Sequence, residues 1–442
     1  MRNFRDLTAL ACRARSQHLL LGTIGMIVPG AALAQDGSAD VSNAGDTAWV
    51  LAASLIALFA SVPGIALFHA GRSASKNALS VVMQTGAIAA AVSLAWIVSG
   101  YTIAFGDVGN GWIGSGNAWM LITLGNVRAF TEIPESAFAF YQIVLAMLAS
   151  AILAGAWADR ARFGFAVVAA TFWSLTGLAP VSHWVRGSGW IYQAVGTVDY
   201  AGGLSVLFPT GVSALVFAAI LGKPRAEPTT AMLPFSSALT LLGALIVWTG
   251  MLALAGAAAF IANDDAAAAL ICAHAAACAG GLGALLADRL SGSKPSASGF
   301  ARGVVCGLAA SFAGAPYLSP GAAILIGLLA ALAGRGAAGL LRRRLAIHDT
   351  LDVFAIFAVP AATGALLAAI FQSESLGGVG YDEGMNMIAQ LVAQVIALGV
   401  ITAWATVVTA IVAVATSLFF QMRVGEEAEA SGLDVASHGE HA

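Results

Sequence analysis

The sequence predicts an all-α, polytopic membrane protein with eleven transmembrane helices. Among its 442 residues, 59% are hydrophobic and 10% are charged, and such a composition cannot form the surface of a soluble protein. Each apolar segment must be helical, because lipid offers no partner to an unpaired backbone amide. The eleven predicted segments are 49–70, 79–101, 138–158, 163–181, 203–222, 232–261, 266–287, 303–315, 321–341, 353–371 and 385–420.

The loops between these segments alternate between basic and nearly free of Lys and Arg. One side holds only Arg128 and Arg186. Because basic loops remain in the cytoplasm, we expect the mature N-terminus outside, the C-terminus inside, and a bacterial-type inner (plasma) membrane. The basic residues of the cytoplasmic side are Arg72, Lys76, Arg160, Arg162, Lys223, Arg225, Arg289, Lys294, Arg302, Arg335, Arg342, Arg343, Arg344 and Arg423.

Residues 1–34 resemble a cleavable signal peptide. Four arginines precede the apolar run 19–28, and Ala32-Leu33-Ala34 is a small-x-small cleavage pattern. The alternative is an additional membrane helix, but the run is short and Pro29 interrupts it. The predicted organisation is therefore a leader at 1–34, a transmembrane domain at 35–422 and a cytoplasmic tail at 423–442.

The odd number of crossings has a consequence for topology. If the first ten helices form two groups of five, the second group is inverted relative to the first, an arrangement that places a substrate path near the midplane. The last segment, at 385–420, is longer than the roughly 20 residues that cross a bilayer. The sequence thus predicts two inverted five-helix halves plus a long eleventh helix.

Several classes of function are disfavoured by composition. The basic residues are dispersed over loops, so no nucleic-acid partner is expected. Cys272, Cys278 and Cys306 lie in apolar segments without a metal-ligand spacing, so we expect no metal and no cofactor. Ser205 and Thr210 lack a nearby base, so an enzyme is not expected.

Six ordered motifs carry a resemblance to a known family. They are PGIALF at 63–68 with KNALS at 76–80, GA at 155–156 with DR at 159–160, DYAGG at 199–203, LDVF at 351–354, SLGGVG at 375–380, and GLDV at 432–435 with SHGE at 437–440. In this order they resemble the ammonium transporter (Amt/Mep/Rh) family. The resemblance implies eleven helices, a homotrimer, and one narrow pore for ammonium or ammonia through each protomer.

The pore positions implied by the resemblance depart from the family pattern. Leu207 and Phe357 stand where the family has its twin pore histidines, so both imidazoles are missing. Arg186 stands at the outer recruitment site in place of a tryptophan, whose ring would attract a cation by about 1 to 2 kcal/mol. The two gate phenylalanines align with Leu145 and Met251. We therefore expect a more apolar pore.

Some polar groups remain inside or beside the predicted segments. Asp199 could support ammonium binding at the mouth or cap free amides at a helix start, and the capping role is favoured. His274 lies deep in a segment, where an ionisable group is a possible polar pore group; the alternative is a neutral histidine bonded across a helix contact. His69 and His183 are interpreted as interface residues that reach water.

The tail retains the family's motif at Gly432, Asp434, His438, Gly439 and Glu440. In the family this segment runs beneath neighbouring protomers and takes part in regulation by PII signal proteins. Two functions therefore compete. One is a channel-type ammonium or ammonia transporter with an altered pore, and the other is a non-conducting membrane sensor or regulatory subunit acting through PII or a paralogous transporter.

Overall fold

The computed structural model describes residues 42–108, 111–116, 119–122, 124–225, 234–345 and 347–442. The predicted leader at 1–34 lies outside these ranges. Within them, ten helices are long and apolar enough to cross a membrane. With a shorter helix, α8, they are α1 Ala44–Arg72, α2 Ser75–Phe105, α3 Glu135–Ala156, α4 Phe163–Arg186, α5 Gly203–Leu221, α6 Ser237–Ala257, α7 Asp264–Leu290, α8 Ala297–Ser311, α9 Pro320–Leu345, α10 Phe354–Phe371 and α11 Met387–Ser417.

A helix lies at each of the eleven predicted segments, but the bounds differ most at α8. This helix has 15 residues and begins several residues before the predicted start at 303. Ser296 sets its start by accepting a hydrogen bond from the Gly299 amide at 3.0 Å. Apolar content alone does not reveal such a cap, because the first residues of α8 include the polar residues Ser298 and Arg302.

The remaining elements are short. The strands β1 Asp107–Val108 and β2 Gly114–Ser115 pair in antiparallel fashion between α2 and α3. In the tail, α12 spans Glu426–Ser431 and a π turn follows at Asp434–His438. Further π turns lie within or at an end of the membrane helices, at Trp96–Gly100 in α2, Ser174–Leu178 in α4, Gly203–Leu207 at the start of α5, Leu341–Leu345 at the end of α9 and Phe354–Ala358 at the start of α10.

The first helices of the two predicted halves, α1 and α6, pack together in antiparallel orientation. A Cβ on Gly64 would lie 2.9 Å from the Val247 amide nitrogen, and one on Gly71 would lie 2.4 Å from the Thr240 amide nitrogen. The later residue of α1, Gly71, thus contacts the earlier residue of α6, Thr240, so the two helices run in opposite directions. Small residues at these positions let the two backbones approach closely, and the antiparallel contact agrees with an inverted second half.

Candidate permeation path

The helices α5 and α10 begin in the same way, with an aspartate that accepts amide hydrogens from a π turn. Asp199 accepts hydrogen bonds from the amides of Leu204 at 3.0 Å and Ser205 at 2.8 Å. Asp349 accepts one from the Phe354 amide at 2.8 Å. Amides at a helix start have no partner within the helix, and a carboxylate also suits the positive end of the helix dipole. The capping geometry proposed for Asp199 is therefore present, and Asp349 repeats it.

The two predicted pore positions follow these aspartates at the same interval. The number of residues from Asp199 to Leu207 equals the number from Asp349 to Phe357. The two helices also touch near these positions, since a Cβ on Gly211 would lie 2.6 Å from the Ala358 amide nitrogen. Leu207 and Phe357 thus occupy matching places in two equivalent helix starts that pack against each other.

Four predicted pore residues are buried in the large hydrophobic core that runs through most of the membrane helices. The exposed fractions are 2% for Leu145, 0% for Leu207, 0% for Met251 and 1% for Phe357. These side chains come from α3, α5, α6 and α10. None carries a strong hydrogen-bonding group. The centre of the candidate path is therefore apolar.

Arg186 lies at the end of α4, beside the start of α5. Its Nη1 lies 3.5 Å from Gln142 Oε1 and 3.6 Å from the point where a Cβ on Gly202 would be. Burial raises the pKa of Asp199, and the positive charge of Arg186 opposes this effect. The structure therefore brings the predicted residues Arg186 and Asp199 together at the predicted outer end of the path.

Sequence reasoning missed two polar residues of this outer region, Tyr141 and Gln142 on α3. The Tyr141 hydroxyl donates a hydrogen bond to the Leu254 carbonyl at 3.0 Å. Gln142 Nε2 is buried and has no hydrogen-bond partner in the described part of the chain. The sequence feature that could have identified them is a tyrosine next to a glutamine inside an otherwise apolar segment.

The predicted water access of His69 is wrong. Its side chain is fully buried near the end of α1, and neither ring nitrogen has a hydrogen-bond partner among the described residues. A Cβ on Gly155 would lie 2.8 Å from His69 Nε2 and 2.7 Å from a methyl group of Val353. His69 therefore lies between the end of α3 and the start of α10. His183 is also fully buried, with Nδ1 at 3.0 Å from the Ala104 carbonyl oxygen.

The inner region also contains an ion-pair network around Asp352. This carboxylate bonds Arg72 at 3.2 Å, bonds Arg342, and lies 3.7 Å from Arg302. Burial, and next the negative charge of Asp352, raise the pKa of nearby Asp349 to about 6. Asp349 thus caps the start of α10, while Asp352 forms ion pairs with the surrounding arginines.

His274 does not join the candidate path. Its side chain is exposed on α7, where its ring lies 5.2 Å from that of Trp248 and its Nε2 lies 3.6 Å from Cys278 Sγ. This position on an outer face differs from the predicted polar pore group. Helix α7 is apolar around most of its circumference, so its sequence did not show which face points inward. In the described ranges, no group of three His, Cys, Asp or Glu residues could hold a metal ion.

The tail docks against the start of α2. Asp434 accepts hydrogen bonds from the amides of Leu79 at 3.2 Å and Ser80 at 2.7 Å. Gly432 has a φ of +111°, and a Cβ there would lie 2.5 Å from the Lys76 Cβ, so this contact requires glycine. The Lys76 ammonium donates to carbonyl oxygens of α12 at 2.8 Å and 2.7 Å.

The last three tail residues of the predicted motif are placed differently. The His438 ring lies edge-on to that of Phe163, with 5.2 Å between centroids. Gly439 has a φ of +69° and ends the π turn, while Glu440 is exposed. The motif therefore divides into a docked part at Gly432 and Asp434 and a more peripheral part at 438–440.

Comparison with known proteins decides the family. The model of the Ammonium Transporter Family matches residues 48–442. The chain belongs to this family. The resemblance drawn from the sequence motifs is thereby confirmed. As an ammonium transporter family member it is a multi-pass membrane protein, and the family and its named relatives are transporters and not enzymes.

Individual relatives match nearly the whole length. An ammonium transporter of Bacillus subtilis is 34% identical over 402 residues, covering 90% of this chain and 98% of the relative. One of Aquifex aeolicus is 31% identical over 431 residues, covering 96% and 99%. Among solved structures, the crystal structure of Saccharomyces cerevisiae Mep2 superposes on this chain with a TM-score of 0.79. The match covers 88% of this chain and 89% of that chain, at 27% sequence identity. The sequence and the fold thus agree.

Proposed function

We propose that this chain is a channel-type transmembrane transporter of ammonium or ammonia with an unusually apolar pore. The observation that carries the proposal is that Leu145, Leu207, Met251 and Phe357, called the apolar cluster here, are all buried in the hydrophobic core, combined with membership of the ammonium transporter family. The path would start beside Arg186 and Asp199, pass this cluster, and end near the start of α10.

An apolar centre restricts what can pass. A bare ammonium ion would lose its hydration without gaining an acceptor from the leucine, methionine and phenylalanine side chains, which costs several kcal/mol. Neutral ammonia carries no charge, so its penalty is far smaller. We therefore propose ammonia as the species that crosses the cluster, after the ammonium ion has given its proton to water at the entrance of the path.

The proposal includes an assembly and an orientation. The alternating basic loops support eleven crossings with the N-terminus outside and the C-terminus in the cytoplasm of a bacterial-type inner membrane. Family membership makes a homotrimer the expected assembly. The tail docked through Asp434 would offer a cytoplasmic surface for a PII signal protein, with no cofactor involved.

A second candidate function is a non-conducting sensor or regulatory subunit. The specific observation in its favour is Arg186, whose positive charge acts on Asp199 at the predicted outer end of the path. A fixed positive charge opposes the approach of a cation instead of attracting one. In that case the output would pass through PII or through a paralogous transporter.

Uptake of radiolabelled methylammonium by cells lacking their own transporters tests the choice. We expect saturable uptake that requires this chain, with assembly checked by size-exclusion chromatography of the purified protein. Well-assembled protein without any uptake would contradict the transporter proposal and favour the non-conducting alternative. The double variant Leu207→His with Phe357→His then shows whether added imidazoles open the same path to faster uptake.

A further inference from the structure

A recess opens between α7, α8, α9 and α10 near their predicted cytoplasmic ends. It has about 380 Å³ of empty space, including its open mouth. Most of its wall consists of glycine and alanine residues, whose small side chains leave this space free. Arg302, Arg335 and Asp352 also line it. The recess therefore combines apolar walls with two guanidinium groups and one carboxylate.

The recess faces away from the candidate permeation path. On α10 it is lined by Ala355, two residues before Phe357, and side chains at this spacing point to different faces of a helix. A Cβ on Gly334 of α9 would lie 2.5 Å from the Ala355 carbonyl oxygen. The recess thus lies where α10 packs against α9, whereas the path lies where α10 packs against α5.

Arg302 brings hydrogen-bond donors to the recess that the described residues leave unpaired. Its Nε donates to the Ser298 carbonyl at 3.3 Å, but its Nη1 lies 3.7 Å from Asp352, beyond hydrogen-bond distance. Asp352 is already bonded by Arg72 and Arg342. The Arg302 side chain is 34% exposed, so its Nη groups are accessible to a ligand.

Positive charge exceeds negative charge around the recess. Four guanidinium groups share two carboxylates, in ion pairs that join Arg72, Arg302 and Arg342 to Asp352 and Arg335 to Asp288. Four less two leaves a surplus of two positive charges, or of one when nearby Asp349 is ionised. Segments 284–303 and 331–348 contain no acidic residue besides Asp288, and their further basic residues are Arg289, Lys294, Arg343 and Arg344. This charge distribution attracts an anion.

Exposed leucines near the recess indicate where that anion comes from. On α7, Leu286 and Leu290 are 56% and 79% exposed, and Leu340 on α9 is 55% exposed. They lie within a few residues of Ala284 and Ala338, which line the recess. Apolar side chains beside arginines at helix ends match the boundary between acyl chains and headgroups, where basic pockets between helices bind anionic lipids.

We propose that this recess binds the phosphate of an anionic phospholipid in the inner leaflet. The phosphate oxygens accept hydrogen bonds from the Nη groups of Arg302, because a guanidinium fork matches the geometry of a phosphate. Arg335 adds positive charge, and the acyl chains lie along the exposed leucines. The choice of leaflet rests on the orientation proposed above. Lipid binding itself goes beyond the proposed transport function and does not depend on it.

Lipid affinity of the purified protein is the first test. Native mass spectrometry in a neutral detergent compares dioleoylphosphatidylglycerol with dioleoylphosphatidylcholine, which differ only in the headgroup. We expect phosphatidylglycerol to bind more tightly, and Arg302→Gln to weaken its binding about fivefold, the effect of one arginine near an anionic headgroup. Arg302→Lys should recover part of this loss, because it keeps the charge without the planar fork.

Arg225→Gln is the matched control, since Arg225 is an exposed arginine of the same predicted side and lies outside the recess. It should bind phosphatidylglycerol as the parent protein does. Equal affinity of the parent protein for both lipids, or equal losses in Arg302→Gln and Arg225→Gln, would overturn the proposal. Displacement of phosphatidylglycerol by millimolar inorganic phosphate would identify a soluble anion as the occupant and would also overturn it.

The position of the lipid is the second test, and it uses only the parent protein. Phosphatidylglycerol with a diazirine in one acyl chain is photo-crosslinked to the protein in nanodiscs, and the attached peptides are identified by mass spectrometry. We expect crosslinks concentrated near Leu286 and Leu340, with fewer from the matching phosphatidylcholine. The same dispersed pattern for both lipids would contradict the site. Concentrated crosslinks in a protein without uptake would refute transport and retain the lipid site.

Discussion

Asp434 Oδ1 accepts the amide hydrogen of Ser80 at 2.7 Å, which links the C-terminal tail to the start of α2. The second oxygen, Oδ2, accepts the Leu79 amide hydrogen at 3.2 Å. One tail carboxylate therefore caps a membrane helix that lies far from it in the sequence. Docking of the tail and capping of α2 are one interaction, so a change at either end affects the other.

Asp434→Ala should release the tail. It removes two hydrogen bonds to a buried carboxylate, and we expect trypsin to cleave after Arg423 about tenfold faster, which corresponds to ~1.4 kcal/mol of docking free energy. Limited proteolysis of the purified protein measures this. Glu440→Ala is the matched control because Glu440 is an exposed acidic residue of the same tail. Equal cleavage rates for the two variants would contradict the docking role.

Asp199→Ala should destabilise the start of α5. Both carboxylate oxygens accept amide hydrogens there, and loss of such a cap costs about 0.5 to 2 kcal/mol. We expect a lower apparent Tm in detergent, measured by thermal unfolding, with Asp199→Asn intermediate because the amide retains one acceptor oxygen. If Asp199→Asn keeps the stability of the parent protein but loses uptake, the residue acts on the permeant and its role as a cap is secondary.

Asp349 should make stability depend on pH. Its pKa is raised to about 6, against about 3.9 in an unfolded chain, so the folded state binds more protons between these values. Its contribution to stability is therefore fully present below about pH 4 and is lost as pH rises through about 6. Asp349→Asn keeps an acceptor for the Phe354 amide and removes the charge.

We expect Asp349→Asn to raise the apparent Tm at pH 7.5 and to weaken its decline between pH 4.5 and pH 7.5. Thermal unfolding of both proteins across this range measures the difference, which cancels contributions from other titrating groups. The charge is worth on the order of 1 to 3 kcal/mol, taking about 1.4 kcal/mol for each unit of pKa change. A variant less stable than the parent at pH 7.5 would show that the ionised carboxylate is stabilising.

Arg186→Gln should make uptake of a cationic substrate more effective. It removes a positive charge from the outer region while a polar side chain can still reach Gln142. Because the charge is partly solvated, we expect an effect of about 1 kcal/mol, a several-fold fall in the KM for methylammonium. Arg289→Gln removes an exposed charge at the end of α7 and should leave the KM unchanged. Equal effects of both variants would indicate a general charge effect.

Part of the candidate site followed directly from sequence. Motif order identified Leu207, Phe357, Arg186 and Asp199, because a motif of fixed spacing can be matched without coordinates. The structure buries Leu207 and Phe357, and the pore roles of all four residues stay predictions. His274 and His69 show the opposite case, since the sequence suggested that the first faced the pore and the second reached water, while the structure exposes His274 and buries His69.

The sequence alone determined the helical membrane architecture, since lipid forces each long apolar segment to satisfy its own backbone. It also determined that the positions predicted to line the pore are apolar. Only the tertiary structure decided which face of each helix points inward, because a helix that is apolar all round carries no amphipathic signal. Helix rotation, set by close contacts of small residues, exposes His274 and packs the ring of His69 against Gly155.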